Sequence, residues 1–536
     1  MSTLFGHTWD DETCYLHTLP PESDPPFQSP AQILSPDILL QIFEWAQSAD
    51  AGPDHPGFSE SEYFGTPTER TIFSRVAVPW NVSQVCRAWR VVAVESAKLW
   101  SIIVVHDGTS AFGKPSKMRD NLKWYLERSR RAPLTISAKI FDRNTPKDMF
   151  PLRIFFQRVF SERSRWKRVS ISSRDAYFPK FPSTSSNCFD NFPKLEELAL
   201  VFPAGHRENS PISLNFSTCK KLQKLYLLGD FRIAQSDTAM EHLKQVELGS
   251  ESPFPFLGHY MDSFPSLLDC ETLLRVAPSL TSLTIEIRGD DMDKDNSVIY
   301  LPYLESFRFQ ITSGGSEVVQ RTHLFVDKLV TPALKNLHIK GDIEPAIEGL
   351  LRRSNCSLLS LTIDGETEEG RTAVVEGWLQ YMKTLRTLKV EFAVIRSRVL
   401  AKLVLSGRGR DKRFRDAEYP ELKGLRERDS CPALETMELE SCRFEGDIER
   451  MAKLTNAMIR SRIRNADGSR GAMESLELRN CSFIPPGLDT DDDLPEERPS
   501  DTEVLKLVRD GIDNECTNAT TRRYHGISLE VRNQVK

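Results

Sequence analysis

Leu334-Lys335-Asn336-Leu337-His338-Ile339 puts apolar side chains at the first, fourth and sixth places of a six-residue phrase. Its last three residues alternate apolar, polar, apolar, the period of a strand that buries one face. The phrase recurs from Trp166, Leu195, Leu222, Leu243, Leu280, Leu304, Leu358, Leu385, Leu434 and Met473, which makes eleven copies. A single unit of this kind cannot bury its apolar face, but a stack of units can. The expected result is a run of parallel strands, one per unit, with the first residue of each phrase turning into the same core. Side chains alternate along a strand, so the fifth residue of each phrase must face away from that core. In order these are Ser170, Ala199, Tyr226, Glu247, Thr284, Arg308, His338, Thr362, Lys389, Glu438 and Glu477.

Successive phrases begin 29, 27, 21, 37, 24, 30, 24, 27, 49 and 39 residues apart, so the array is irregular. Five are introduced by a proline two residues earlier (Pro193, Pro278, Pro302, Pro332 and Pro432), and two carry a cysteine three residues past the last apolar place, Cys442 and Cys481. These units resemble leucine-rich repeats of the cysteine-containing kind. The resemblance implies an α/β solenoid over residues 164–485 whose parallel sheet lies on the concave side of an arc. Residues 107–163 are expected to form degenerate capping repeats, with a helix over Lys117–Ser129, a strand over Leu134–Ile140 and a helix over Ile154–Phe160. A further helix is expected around Met451–Ile463. Residues 486–536 read as an acidic loop, Asp489 to Glu503, followed by a C-terminal cap.

Ahead of the array the chain changes character. Residues 1–32 belong to a proline-rich leader expected to be disordered, with prolines at 20, 21, 25, 26 and 30. Pro36-Asp37-Ile38-Leu39-Leu40-Gln41-Ile42-Phe43 then reads as an amphipathic helix opened by proline, with an acidic residue near its positive end. A loop over 49–71 separates it from a second helical stretch, Trp80 to Val94, where Val82, Val85, Cys86, Trp89 and Val92 share a stripe. Leu34 to Phe43, together with Val82-Ser83-Gln84-Val85-Cys86-Arg87-Ala88-Trp89-Arg90 and the following Leu99-Trp100, resembles an F-box of the divergent fungal type. Ser35 stands where that motif usually has proline, and the loop between the halves is long. A small helical F-box-like domain is therefore expected over residues 33–106.

Composition narrows the possible functions. A net charge of −6 over 536 residues argues against nucleic acid as the main partner. The N-terminus lacks a signal-peptide pattern, and the most apolar stretch, Val91 to Val105, is interrupted by Glu95 and Lys98, so no membrane partner is expected. Ten cysteines without a Cys-x-x-Cys pair suit a reducing compartment, cytoplasmic or nuclear. Motifs for a catalytic nucleophile, a phosphate-binding loop or a zinc site are absent; no cofactor, metal site or enzymatic activity is expected. Asp291 to Asn296 opens like a calcium loop but lacks the required glycine and glutamate, and reads as a surface turn. The basic run Arg408 to Arg415, with Arg396 and Arg398 nearby, reads as a charged, solvated insertion in preference to a nuclear-import or nucleic-acid element.

Together the two resemblances imply the substrate-recognition subunit of a Skp/cullin/F-box ubiquitin ligase, which performs no chemistry itself. A non-catalytic scaffold or binding module acting outside such a ligase is the alternative. The F-box resemblance makes Leu34, Pro36, Ile38, Ile42, Phe43, Val85 and Trp89 candidates for contact with a Skp-type adaptor and, through it, a cullin. Some of these must instead pack the domain's own core. Tyr226, Glu247, Arg308, His338, Lys340, Lys389, Glu438 and Glu477 are the candidates for contact with a target protein. Their column runs from small and aromatic through a basic centre to an acidic end, so an acidic segment of the target should meet the centre and a basic one the end.

Overall fold

In a computed structural model of the chain, the alternation read from the phrase becomes fourteen parallel strands in one sheet, each hydrogen-bonded to the next in chain order. The structure describes residues 34–50, 78–107, 115–140, 149–173, 192–202, 212–229, 231–234, 238–249, 266–287, 297–311, 316–341, 344–365, 379–403, 431–445, 475–479, 481–484 and 528–532, with a few positions between 451 and 462. The strands are β1 (Ile102–Asp107), β2 (Leu134–Ile140), β3 (Trp166–Ser173), β4 (Glu197–Phe202), β5 (Lys224–Gly229), β6 (Gln245–Leu248) and β7 (Ser282–Ile287). They continue as β8 (Ser306–Ile311), β9 (Asn336–Lys340), β10 (Ser360–Asp364), β11 (Thr387–Glu391), β12 (Thr436–Glu440), β13 (Ser475–Arg479) and β14 (Ser528–Arg532).

The register keeps like positions of the phrase opposite one another. Leu283, Phe307, Leu337, Leu361, Leu388, Met437 and Leu476 form one row, and Ile285, Phe309, Ile339, Ile363, Val390, Leu439 and Leu478 form the next. Both rows are buried, as are the phrase-opening residues from Trp166 to Leu434. A slip by one residue would turn all of these side chains to water, which is why the register is strongly specified. Cys442 and Cys481 sit in the turns after β12 and β13. Their thiols donate to backbone carbonyls of the preceding strand, Val390 O at 3.3 Å and Leu439 O at 3.4 Å, and so tie neighbouring units together. Past β9 the chain turns through Gly341 at positive φ, and at the matching places after β11 and β12 the residues Phe392 and Ser441 take the same left-handed conformation, at a steric cost that glycine avoids.

Nine helices are named among the described residues: α1 (Pro36–Asp50), α2 (Val78–Ser83), α3 (Arg87–Glu95), α4 (Pro115–Arg128), α5 (Met149–Ser161), α6 (Leu267–Val276), α7 (Ser316–Lys328), α8 (Glu344–Ser354) and α9 (Ser397–Leu403). Their apolar faces join the inward rows of the sheet in one continuous core that runs from Leu39 to Leu478. A buried ion pair, Lys328 Nζ to Glu271 Oε1 at 2.7 Å, ties α7 to α6.

Helices and strands expected between 107 and 163 are present as α4, β2 and α5. Four readings change. The helix expected over Trp80 to Val94 is broken: Cys86 is extended (φ −156°) and caps α3, its sulfur accepting from Trp89 N at 3.5 Å, while Arg90 Nε donates to Ser83 O at 2.9 Å. These local bonds give the backbone a better alternative to continuing α2. Ile102–Asp107, expected within a helical domain, is instead the first strand of the sheet, and Ser528–Arg532, expected in a terminal cap, is the last. The positions described between 451 and 462 are helical, as expected there. The loop expected at 49–71 begins later, since Ala49 would be its first residue and the helix α1 continues to Asp50; its remainder, the proline-rich leader up to residue 32, the calcium-like turn, the basic run Arg408 to Arg415 and the acidic loop Asp489 to Glu503 lie outside the described residues.

Candidate interaction surfaces

Helix α1 carries two apolar stripes. Leu39 and Phe43, four apart, face the core, and Gln47 beyond them donates to Leu99 O at 2.9 Å. Ile38, Ile42 and Trp45, at spacings of four and three, face water on the other side. Trp45 is 75% exposed, Ile38 46% and Ile42 40%, and Val85 at 55% and Val91 at 49% add exposed apolar area on the second half of the helical unit. Scattered single apolar residues need no explanation, but five large ones on so small a helical unit do.

The candidate adaptor residues therefore separate. Ile38, Ile42 and Val85 are exposed, and Pro36 is exposed beside them. Phe43 is a core residue: it is fully buried, its ring centroid 5.0 Å from that of Trp89, and it has no surface to offer a partner. Leu34 and Trp89 are partly buried against the same core. Trp45 and Val91 were missed, although Trp45 continues the spacing of Ile38 and Ile42 and could have been read from it.

At the junction with the sheet, three tryptophans surround one guanidinium. Arg128 lies 4.1 Å from the ring centroid of Trp124, 4.5 Å from that of Trp100 and 5.9 Å from that of Trp80. Desolvation lowers its pKa to about 10, with Glu127 acting against this. Trp100 is fully buried and donates to Ala93 O at 2.7 Å, so one side chain holds α3, α4 and the start of β1 together.

The second surface is the face of the sheet turned away from the core. The expected column is in register across it: Ser170 opposite Ala199, then Tyr226, Glu247, Thr284, Arg308, His338, Thr362, Lys389, Glu438 and Glu477. All are half-buried except Ala199, which is buried. In the strand register Glu530 of β14 stands opposite Glu477 of β13.

A second row, two residues further along each strand, changes the charge pattern that the column alone suggested. Lys340 pairs with Asp364 at 3.3 Å, and Arg479 bridges Glu477 at 2.6 Å and Glu440 at 3.7 Å. A hydrogen bond to Glu391 holds the Lys389 ammonium above the ordinary lysine range, and the charges of Glu391, Glu438 and Glu440 add to the effect. The basic centre and the acidic end are thus each partly compensated by residues on the same face. A single column could not reveal this, because residues two apart also share a face.

Among the described residues, no three His, Cys, Asp or Glu side chains gather to hold a metal ion, and no helix is long and apolar enough to cross a membrane. Comparison with protein-family models and with curated proteins finds no match to the chain.

Proposed function

We propose that the chain is the substrate-recognition subunit of a Skp/cullin/F-box ubiquitin ligase. In this reading α1 to α3 form a divergent F-box, and the strands with their helices form an irregular leucine-rich-repeat solenoid that holds a target protein. The observation that carries the reading is the set of exposed apolar side chains Ile38, Ile42, Trp45, Val85 and Val91, on helices whose inner faces are already buried in the core they share with the sheet. Such a surface suits a stable apolar interface: removing each large side chain from water contributes roughly 1.5–3 kcal/mol when burial is complete. The contribution to catalysis is proximity. Holding a target lysine beside the charged ubiquitin carrier converts a bimolecular encounter into an effectively intramolecular one.

The test is native affinity purification of the full chain with mass spectrometry, alongside the pair Ile42→Asp and Trp45→Asp. A Skp-type adaptor and a cullin are expected with the wild type and should vanish with the double variant while its melting curve is kept. An adaptor that never co-purifies, or that the double variant retains, overturns the reading.

A further inference from the structure

We infer that the thiols of Cys442 and Cys481 form a two-coordinate site for a soft monovalent cation of the copper(I) kind, an inference independent of the ligase reading. Strand pairing aligns the two side chains. Glu440 stands opposite Arg479 on β12 and β13, and Arg443 stands opposite Ser482 where the chain pairs again just after. Cys442 and Cys481 fall between these paired positions, so they occupy the same place in successive units. Their hydrogen bonds repeat with the same step. Cys442 donates to Val390 O at 3.3 Å and Cys481 to Leu439 O at 3.4 Å, and Val390 and Leu439 are themselves opposite each other. The two thiols also hydrogen-bond to one another.

Donor set and spacing together select the ion. Among the described residues no third His, Cys, Asp or Glu gathers with the thiols, and the register puts Ala393 at the same place one unit earlier. Zinc closes a structural site with four ligands, whereas copper(I) favours soft thiolates and is satisfied by two. Two metal–thiolate bonds of about 2.3 Å laid end to end span about 4.6 Å, close to the roughly 4.8 Å between neighbouring strands. A disulfide would need sulfurs about 2.05 Å apart and Cβ atoms about 3.8 Å apart, and so would draw the two units together.

The surroundings favour positive charge. Besides the carbonyls of Val390 and Leu439, Glu440 O lies 3.5 Å from the Cys442 sulfur and Arg479 O lies 3.4 Å from the Cys481 sulfur. Two thiol protons are thus shared among four carbonyl oxygens, whose negative ends oppose bare thiolates and welcome a cation between them. Cys442 is fully buried and Cys481 is partly exposed, so the ion enters past Cys481 and comes to rest against Cys442. Two thiols and one copper(I) ion give an S–Cu–S bridge and release two protons to solvent, with no change of oxidation state. The bridge ties the unit of β12 to that of β13.

The full-length chain, reduced and kept under nitrogen, is titrated with copper(I) supplied as its acetonitrile complex against the chelator bicinchoninate. The wild type should hold one ion more per chain than Cys481→Ser, and that ion should raise the melting temperature of the wild type alone. At one ion per chain, X-ray absorption should show copper bound by two sulfurs. Should Cys481→Ser fail to fold, Cys442→Ala, which installs the residue carried by the preceding unit, decides the question in the same way. Zinc(II) should be retained equally by wild type and variant. Equal copper retention by the wild type and a folded variant, a copper shell of three or four ligands, or zinc held in the place of copper overturns the inference. So does a chain that loses both thiols to a disulfide and takes up no copper.

Discussion

Helices α1 to α3 and the outer face of the sheet grow from one core yet meet water in opposite ways. The helices present Ile38, Ile42, Trp45, Val85 and Val91, whereas the sheet presents rows of hydroxyl, amide and charged side chains. The core beneath is continuous from Leu39 to Leu478, so the contrast lies in surface chemistry and not in separate folding units. An apolar surface gives affinity that salt hardly alters, while a polar, charge-bearing one gives selectivity that salt weakens. A chain that must hold one constant partner and choose another is served by having both.

The comparison can be broken most directly at the junction. Trp100→Ala removes a fully buried ring packed 5.1 Å from Trp80 and 5.1 Å from Tyr125, together with one face of the Arg128 cage. A loss of about 3–5 kcal/mol is expected. Hydrogen exchange should then show the helices and β1 to β3 opening together. If the helices open alone, the two regions are separate units and the shared-core account fails.

Alkali should act on the sheet first. Burial pushes the Cys219 and Cys431 thiols up to about 12 from the ordinary 9.0, with Thr218 and Arg462 respectively acting in the opposite direction. The folded pKa is raised, so the stabilisation is complete below about 9 and is lost as pH climbs from there toward about 12, by at most about 1.4 kcal/mol per thiol per pH unit. Both residues lie in the repeating part of the chain. Calorimetry of the wild type and of Cys219→Ala with Cys431→Ala should show a steeper alkaline fall in melting temperature for the wild type; parallel curves would exclude these thiols as its cause.

The smallest effect sharpens the comparison at its surface. Trp45→Ser and Arg308→Gln should each change stability by less than about 0.5 kcal/mol, because neither side chain is in the core. Only Trp45→Ser should lower the fluorescence of a hydrophobic dye bound to the native chain. A matching drop in Arg308→Gln would mean that the sheet face also carries apolar binding area.

Much of this was written locally. Alternation along each phrase is a property of neighbouring residues, so the inward rows, the outward column and the strand at Leu134–Ile140 could be read directly. The first strand was legible too: Trp100, Ile103 and Val105 obey the same phrase, but their place next to a helical stretch hid it. The last strand was not, because Gly526 stands where its phrase would begin with an apolar residue.

Other decisions needed the folded chain. Ile42 and Phe43 are adjacent, apolar and equally suited to a helix, and only packing against Trp89 decided that Phe43 goes inward and Ile42 outward. The break between α2 and α3 depends on Cys86 and Arg90 finding local partners. The compensation of Lys340 by Asp364 joins residues from different units, separated in sequence and brought side by side by strand pairing. Sequence by itself determined the period, and with it which side chains share a face. Tertiary structure decided which apolar face stays in water and which charges neutralise each other, because both depend on neighbours that the chain supplies from far away.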